Sequence, residues 1–409
     1  MNPLVQLEAQ AEYDVEQIAA KIELILQRAQ VDARGRKIFL KPSFVYPARP
    51  PKNRGVNTQP EFVAGVALAL RRMGARTVWV GEDCLVGCSQ SGFHAMGVLP
   101  LIRGIAQPLY LCDEPRCDVR IDNPIVESSF RMPQRMMDAD LLISLPKIKV
   151  NMYTEVSLSV KNHMGLLLAP ERLPNHHFHI HRKIADLYRT RPPDFVLADA
   201  IVAGQGQGPM HCDPAPLGLI VGSDCGPAAD AISCLLMGYQ PREIEHLRLL
   251  CELGLGPIDR NQIELLGDSL LNSHARALVR PRCDFADYDP SVRVFLGSGR
   301  ACTQGCAGMV RGTLDPFAKH NDWRLLRGMN FIIGADVKDL PDDLDPQRTF
   351  VIGDCAVEHA DRGRFISGCP IPPISLTYRL LSMGIVVPHS ARVIDLAHGM
   401  LDSMLARRH

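Results

Sequence analysis

Short apolar runs alternate with helical segments along the first half of the chain, and this alternation leaves few folds open to it. Lys37–Leu40 and Thr77–Gly81 are apolar runs, and Pro60–Met73 between them has helical spacing, with Thr58 as a predicted N-terminal cap. A strand, a helix and a strand in this order form a βαβ unit, in which the two strands lie parallel. We therefore predict an α/β fold with a mainly parallel sheet.

Further segments of both kinds follow along the chain. Strands are predicted at Leu141–Leu145, Asp194–Val202, Leu217–Val221 and Ile263–Leu266, and helices at Asp14–Arg28, Val156–Leu168, Cys225–Met237 and Arg242–Leu253. After a connector at 272–290, strands are predicted at Val292–Leu296, Asn330–Ile333 and Thr349–Ile352, and helices at Ser375–Met383 and Ala391–Met404. We expect two domains, a larger α/β domain at 1–285 and a smaller C-terminal α/β module at 286–409.

Charge and composition exclude several classes of protein. The 45 Lys and Arg residues are balanced by 45 Asp and Glu residues, so no net field draws the chain to nucleic acid or to a membrane surface. No apolar stretch has the length of a transmembrane helix, and the N-terminus lacks the features of a signal peptide. We therefore expect a cytoplasmic protein whose 13 cysteines are reduced thiols, metal ligands or core residues.

Several lysines stand at the ends of apolar segments or inside them. This placement is unusual, because a charge removed from water needs a partner. Any one of these lysines can be explained by a buried stem with a solvated head. Together they predict a shared anion site, in which crowding and burial lower the pKa of one lysine enough to make it a base. The predicted members are Lys41, Lys147, Lys149 and Lys161, with Asn162 beside the last.

A glycine-rich segment follows the strand predicted at Asp194–Val202. Gly204, Gly206 and Gly208 alternate with glutamines before Pro209. Glycines let the backbone approach a ligand and offer amides to an anion, but the same pattern is typical of an ordinary turn. No long helix follows, which distinguishes the segment from a Rossmann fingerprint and from a P-loop. We predict anion binding here, with the plain turn as the alternative.

Four histidines lie within six residues, at His176, His177, His179 and His181. In an extended segment, alternate rings among them would share one side. Because histidine titrates near neutral pH, we predict ligand contact or acid/base roles for His176, His179 and His181. A metal site and a polar loop with no special role are the alternatives.

Four cysteines occupy equivalent places in the C-terminal module. Cys302, Cys306, Cys355 and Cys369 each lie just past a predicted strand or just before a predicted helix. In an open α/β sheet such positions gather at the carboxyl edge of the strands, where ligands bind. Thiolates there favour a [4Fe-4S] cluster, with zinc as the alternative cofactor. The competing interpretation is that these cysteines are small buried hydrophobic residues.

These segments resemble the family of proteins that carry the domain of unknown function DUF362. The similarity covers about residues 35–270, and its strongest part joins 140–149 to 159–165; further matches lie at 41–43, 58–60, 74–81, 176–181, 199, 204–209, 224 and 230. Many members look like iron–sulfur proteins, and the elements at 302–306 and 368–370 are similar to a cysteine-bearing C-terminal module of other members. Usual members have a histidine shortly after the second lysine, where this chain has Val150, Asn151 and Met152.

The leading functional prediction is an iron–sulfur enzyme that acts on a small anionic substrate, by redox chemistry or by Lewis-acid dehydration or isomerisation. The two-module plan is also similar to that of the lactate racemase family, which uses a nickel-bearing nucleotide. A racemase-like isomerase with a nucleotide-type cofactor is therefore one alternative, and a non-catalytic electron-transfer or zinc-binding protein is another. Electron transfer implies a redox partner, and apolar helices near the C-terminus predict pairing between copies of the chain.

Overall fold

The computed structural model describes residues 2–45, 54–84, 89–172, 179–298, 305–319, 321–372 and 375–387. These residues divide into two compact units. The first contains the described residues up to 172 and those at 181–280, and the second contains 179–180 and the described residues from 281 onward. The domain boundary predicted at 285 and 286 stays a prediction.

One large sheet forms the centre of the first unit. In chain order the strands of this unit are β1 (Leu4–Ala9), β2 (Lys37–Pro42), β3 (Thr77–Glu82), β4 (Gln107–Tyr110), β5 (Arg116–Arg120), β6 (Ser129–Pro133), β7 (Leu141–Leu145), β8 (Lys147–Asn151), β9 (Glu155–Ser157), β10 (Phe195–Gln207), β11 (His211–Ser223) and β12 (Glu264–Leu266). Ten strands form the large sheet in the order β12-β1-β11-β10-β7-β2-β3-β4, with β8 on β10 and β9 on β8, while β5 and β6 form a separate pair.

Most strand pairs in the large sheet are parallel. The pairs β12–β1, β10–β7, β10–β8, β7–β2, β2–β3 and β3–β4 are parallel, and β1–β11, β10–β11 and β8–β9 are antiparallel. The predicted α/β class with a mainly parallel sheet is therefore confirmed. The βαβ unit predicted around β2 and β3 is present, with β7 on the other side of β2.

The helices of the first unit cover this sheet. They are α1 (Val15–Arg28), α2 (Pro60–Arg72), α3 (Ser89–Met96), α4 (Val98–Ile102), α5 (Gln134–Met137), α6 (Ser159–Asn162), α7 (Ala169–Arg172), α8 (Ile180–Thr190), α9 (Gly226–Leu236), α10 (Glu245–Glu252) and α11 (Asp268–His274). Asp14 caps α1 by accepting a hydrogen bond from the Gln17 amide at 2.8 Å. Apolar residues of α1 and α2 join β2, β3 and β7 in one buried core.

Two local predictions for the first unit are wrong. Thr58 does not cap α2, whose N-cap residue is Gln59; its hydroxyl instead donates to the Leu145 carbonyl at 2.7 Å. The single helix predicted at Val156–Leu168 is divided into β9, α6 and a 3-10 turn at His163–Leu166. The helix cannot start earlier than α6, because Val156 pairs with Val150 in the β8–β9 ladder.

The second unit is built on a fully parallel sheet of four strands. These are β13 (Arg293–Leu296), β14 (Asn330–Ile333), β15 (Thr349–Ile352) and β16 (Arg364–Ile366), paired in that order. The helices α12 (Ala307–Lys319) and α13 (Ser375–Ser382) belong to this unit. The predicted helix Ala391–Met404 lies outside the described residues. Across the ranges given above, no helix is both long and apolar enough to cross a membrane.

Candidate functional site

Lys147 is fully neutralised inside the first unit. It begins β8, all five residues of which are buried beside β10. Its Nζ donates to Asp199 Oδ2 at 2.9 Å and to the Tyr13 hydroxyl at 2.8 Å, and that hydroxyl donates to Asp199 Oδ1 at 2.9 Å. Burial lowers the pKa of Lys147, and the Asp199 carboxylate opposes this effect. Because Lys147, Tyr13 and Asp199 bond to one another, we assign Lys147 a structural role.

Lys41 is neutralised by a carboxylate from the neighbouring strand. It lies near the end of β2, forms an ion pair with Glu82 at the end of β3, and donates to Asn162 Oδ1 at 3.2 Å. Burial raises the pKa of Glu82 to about 7 and lowers the pKa of Lys41. A Cβ at Gly165 would overlap the Glu82 carboxylate and lie 2.8 Å from Lys41 Nζ, so only glycine leaves room for this pair.

Lys149 is buried without a carboxylate partner among the described residues. Its Nζ donates to the Val56 carbonyl at 2.5 Å and to Ser43 Oγ at 3.2 Å, which are both neutral groups. Burial lowers its pKa to about 7, with the Cys212 thiol opposing the shift. Lys149 therefore exchanges its proton near neutral pH.

Lys161 lies in the short helix α6 and is only 9% exposed. Its Nζ makes no hydrogen bond and no ion pair with any residue in the described part of the chain. Burial lowers its pKa to about 8, and the Glu155 carboxylate raises it in opposition. The Lys161 ammonium also contributes to lowering the pKa of Lys149, because the two positive charges repel each other. Of the four lysines predicted for the anion site, Lys149 and Lys161 are the two that have no carboxylate partner in the described part of the chain.

Asp230 on α9 fixes the helix that carries Lys161. Its carboxylate accepts the amides of Ser159 at 2.8 Å and of Val160 at 2.9 Å, the first two residues of α6. Burial raises the pKa of Asp230 to about 7. The start of α6 is therefore set by a residue 71 positions from Ser159, which explains why the local pattern did not reveal it.

The predicted histidine group is only partly described. His176 lies outside the described residues, and His179 lies in a turn of the second unit. His181 lies on α8, so the expected extended segment with alternating rings is wrong from Ile180 onward. His181 is buried and its Nδ1 lies 3.0 Å from His246 Nδ1. His246, on α10, was not predicted, because a single histidine in an amphipathic helix carries no pattern.

The glycines of the predicted anion loop allow close packing of the backbone. They lie in the β10–β11 hairpin and not in an open loop. A Cβ at Gly204 would overlap the Gly55 carbonyl, and one at Gly208 would overlap the Val150 carbonyl. The Gly206 amide already donates to the Val279 carbonyl at 2.7 Å, and the Gly208 amide donates to the Gly206 carbonyl at 2.9 Å. Anion binding or a nucleotide-type cofactor at these amides stays a prediction, and an anion would have to displace those bonds.

Two predicted cysteine ligands of the second unit converge on one glycine. Cys306 lies directly before α12, and Cys355 follows β15. A Cβ built at Gly353, which has φ +95°, would lie 3.3 Å from Cys306 Sγ and 3.6 Å from Cys355 Sγ. Because Gly353 has no side chain, the space beside the two sulfurs is not filled; we call this space the cradle. Thiols brought together at the carboxyl edge of a parallel sheet are suited to a soft metal ion or a cluster.

Hydrogen bonds bring the Cys369 segment to the same edge. The Asp354 amide donates to the Gly368 carbonyl at 3.1 Å, and the Gly368 amide donates to Asp354 Oδ1 at 2.7 Å. Within the described part of the chain, no group of three or more His, Cys, Asp or Glu side chains has the geometry of a metal site. Cys302 lies outside that part. The four-cysteine ligand set therefore stays a prediction.

Three acidic residues that were not predicted as site members lie close to the buried lysines of the first unit. Glu82 directly follows an apolar strand, which is the same signal that marked Lys41, so it was open to prediction. Asp199 belongs to the family pattern, but that pattern gave it no role. Glu155 was not open to prediction, because it is an isolated acid in a short β segment. Their importance follows only from which lysine each one faces.

Comparisons with known proteins give one sequence relative, two solved structures and one family model. A thylakoid-associated protein of Synechocystis sp. is 27% identical over 229 residues, which cover 54% of this chain and 70% of that protein. The lactate racemase apoprotein of Thermoanaerobacterium thermosaccharolyticum matches with a TM-score of 0.34 and 14% identity, over 48% of this chain and half (50%) of its own length. A crystal structure of a Thermotoga maritima protein matches with a TM-score of 0.34 and 10% identity, over 95% of this chain and 84% of that chain.

The iron–sulfur association and the cytoplasmic location stay predictions. The family model described as Domain of unknown function (DUF362) matches residues 38–235. That segment contains Lys41, Lys147, Lys149 and Lys161, the lysines predicted from their positions in the sequence. Over these residues the chain is similar to the DUF362 family, as was predicted from the sequence.

Proposed function

We propose that the first unit binds a small anionic substrate at Lys149 and Lys161, and that Lys161 acts there as an acid/base group. The observation that carries the proposal is the unpaired ammonium of Lys161, which is 9% exposed and has no partner among the described residues. Burying a charge without a partner is costly. A fold that retains such a charge gains its compensation from a ligand of opposite sign.

The charges of the buried groups define the ligand class. Lys41 and Lys147 have Glu82 and Asp199 as partners, so neither pair attracts an anion strongly. Lys149 and Lys161 have no carboxylate in hydrogen-bonding contact within the ranges that the structure describes. Two excess ammonium groups suit a ligand with a carboxylate or a phosphate group.

The same burial tunes the two amines for proton transfer. The pKa of Lys149 is about 7 and that of Lys161 is about 8. An amine with a pKa near the working pH is present in both protonation states, which is what a general acid or base requires. Lys161 is better placed for this role, because Lys149 Nζ is held by Ser43 and Val56.

Isothermal titration calorimetry with acetate, glycolate and inorganic phosphate tests the proposal. The wild-type chain is expected to bind at least one of these anions at neutral pH, and Lys161→Met is expected to lose the binding. Lys37→Met is the control, because Lys37 is exposed at the start of β2. Equal binding by Lys161→Met and wild type would remove the proposed site.

A second candidate function is a metal–thiolate centre in the second unit, supported by the cradle that Gly353 leaves between Cys306 and Cys355. Cys302, Cys306, Cys355 and Cys369 are the residues proposed to hold a [4Fe-4S] cluster, or zinc as the alternative. A cluster held by all four would supply electron transfer, and one held by three would supply a Lewis-acidic iron. Asp354 would keep the Cys355 and Cys369 segments together through its two bonds with Gly368.

Purification without oxygen, followed by assays of iron, acid-labile sulfide and zinc, tests the second candidate. The wild-type chain is expected to carry either iron with sulfide or zinc, and Cys355→Ser is expected to lose it. Cys251→Ser is the matched control, because Cys251 lies on α10 of the first unit. A wild-type chain that holds neither iron nor zinc contradicts this candidate and leaves the anion site unaffected.

A further inference from the structure

The ribbon formed by β8 and β9 has one apolar face and one polar face. In its antiparallel ladder Lys149 pairs with Ser157, and Val150 pairs with Val156. Directly opposed residues have their side chains on the same face, and successive residues along a strand alternate between the two faces. One face therefore carries Val150 and Val156, and the other carries Lys149, Asn151 and Ser157. The polar face contains a lysine of the proposed anion site.

The side-chain amide of Asn151 has one satisfied end and one unsatisfied end. Its Oδ1 accepts the backbone amides of Tyr153 at 2.9 Å and Thr154 at 3.2 Å. Because a backbone amide cannot donate to an NH₂ group, these two bonds fix which end of the side chain is the oxygen. Nδ2 has no hydrogen-bond partner in the described part of the chain, although Asn151 is only 1% exposed. A buried donor without a partner is costly, and a ligand that accepts its hydrogen bond removes that cost.

Ser157 is the member of the polar face that solvent reaches. Lys149 and Asn151 are buried, whereas Ser157, directly opposite Lys149, is half-buried. Its hydroxyl makes no hydrogen bond within the ranges that the structure describes. The helix α6, which carries Lys161, begins two residues after Ser157. The Cβ atoms of opposed residues lie about 5 Å apart, and those two positions apart on one strand about 7 Å, so a small ligand that enters over Ser157 can contact Lys149 and Asn151 together.

We propose that Asn151 is a further binding residue of the anion site, and that its Nδ2 donor selects small acids with an oxygen acceptor next to the anionic group. The inference rests on the proposed binding of an anion at Lys149 and Lys161. In this arrangement the ammonium groups bind the carboxylate of the ligand. Asn151 donates to the ether, hydroxyl or carbonyl oxygen on the neighbouring carbon.

The substrate class follows from the groups on this face. The two ammonium groups and Asn151 Nδ2 can only donate hydrogen bonds, so each of them needs an acceptor on the ligand. Glu155, which pairs with Asn151 in the ladder, adds a carboxylate beside the face and disfavours a ligand with a second negative charge. The matching ligand is a monocarboxylate with an uncharged oxygen on the carbon next to the carboxylate.

The first experiment compares methoxyacetate with butanoate by isothermal titration calorimetry. These acids have the same charge and nearly the same size, and an ether oxygen in the first replaces a methylene group in the second. The wild-type chain is expected to bind methoxyacetate about fivefold more tightly. Asn151→Ser is expected to bind both acids equally, because the serine oxygen can still accept the amides of the turn while Nδ2 is lost. Asn261→Ser is the matched control, because Asn261 is exposed in a 3-10 turn of the first unit.

The outcomes separate this inference from the proposed function. Equal affinities of the wild-type chain for the two acids overturn the inference alone, and so does a preference for methoxyacetate that survives in Asn151→Ser. A wild-type chain that binds inorganic phosphate and neither acid also overturns the inference and keeps the anion site. A wild-type chain that binds none of the three probes overturns the proposed function, and the inference with it.

The second experiment tests the shared face and needs no ligand. Asn151→Asp keeps an oxygen acceptor for both turn amides and places a carboxylate on the face that carries Lys149. In a buried site a charge about 7 Å away should raise the pKa of Lys149 by about one unit or more from its value of about 7. NMR titration of ¹³C-labelled lysine side chains, with the Lys149 signal assigned by Lys149→Met, measures this change. An unchanged pKa of Lys149 in Asn151→Asp would overturn the shared face and the inference built on it.

Discussion

Replacing Lys161 with methionine should stabilise the chain, although it should abolish anion binding. Methionine has nearly the length of lysine and carries no charge to desolvate. The pKa of Lys161 falls from its usual 10.5 to about 8 on folding, which corresponds to about 3 kcal/mol of destabilisation at pH 7. Lys161→Met should therefore unfold with a free energy higher by about 3 kcal/mol at that pH.

The pH dependence of this difference has a definite sign. A lysine whose pKa is lowered by folding contributes stability above its unfolded pKa of 10.5, and that contribution is lost as the pH falls through about 8. The advantage of Lys161→Met should be full below pH 8 and should shrink as the pH rises, to about 1 kcal/mol or less near pH 10. Lysines that do not interact with Lys161 affect wild type and variant alike and cancel in the comparison. Lys149 does not cancel, because the Lys161 charge lowers its pKa and the variant removes that charge.

Urea unfolding followed by tryptophan fluorescence measures this difference. The chain has 2 tryptophans, Trp79 in the first unit and Trp323 in the second, so a Trp323→Phe background makes the signal specific to the unit that contains Lys161. Lys183→Met is the control of opposite sign, because Lys183 is also buried but pairs with Glu127 at 3.1 Å. A Lys161→Met variant no more stable than wild type at pH 7, or a difference that does not shrink at higher pH, would refute the argument.

Four further results are expected. Lys147→Met should destabilise the first unit by about 3–5 kcal/mol, because it leaves a buried carboxylate unpaired, and urea unfolding measures this. Gly165→Ala should cost about 1–3 kcal/mol in the same assay, because the added methyl overlaps a buried ion pair. Gly353→Ala should lower the metal content of the purified chain, because φ is +95° and the methyl would fill the space beside two thiols. Glycolate affinity should fall by about tenfold per pH unit above pH 8 in calorimetry, because the Lys161 ammonium is lost while the glycolate charge stays constant.

The strands of the parallel sheets could be predicted because their signal is local. β14 and β15 have the predicted bounds, since each is a run of apolar residues buried on both faces and ended by a glycine. α1 was also predictable, because Asp14 caps it and its apolar residues have helical spacing. The division of 156–168 was not, because the start of α6 depends on Asp230, which lies on another helix.

The candidate site was predicted in part for the same reason. Lysines at the ends of apolar segments were visible in the sequence, and the structure buries all of Lys41, Lys147, Lys149 and Lys161. Which of them are neutralised could not be predicted, since Glu82 is 41 positions from Lys41 and Asp199 is 52 positions from Lys147. The functional distinction between paired and unpaired lysines thus arises only in the folded chain.

The topology of the large sheet explains why these distant residues meet. β2 and β3 are parallel neighbours in register from Lys37 and Thr77, so Lys41, just past Leu40, and Glu82, two positions past Val80, lie at the same carboxyl edge of the sheet. β7 lies between β2 and β10, and the chain then continues along β10 as β8, which places Lys147 beside Asp199. Past the end of β7 the chain pairs with β10 and β9 and no longer with β2. The carboxyl ends of parallel strands are where α/β proteins bind ligands. Lys149 lies on β8 and Lys161 on α6, both past the end of β7, and neither has a carboxylate partner among the described residues, so an anion bound at this end of the sheet would meet both ammonium groups.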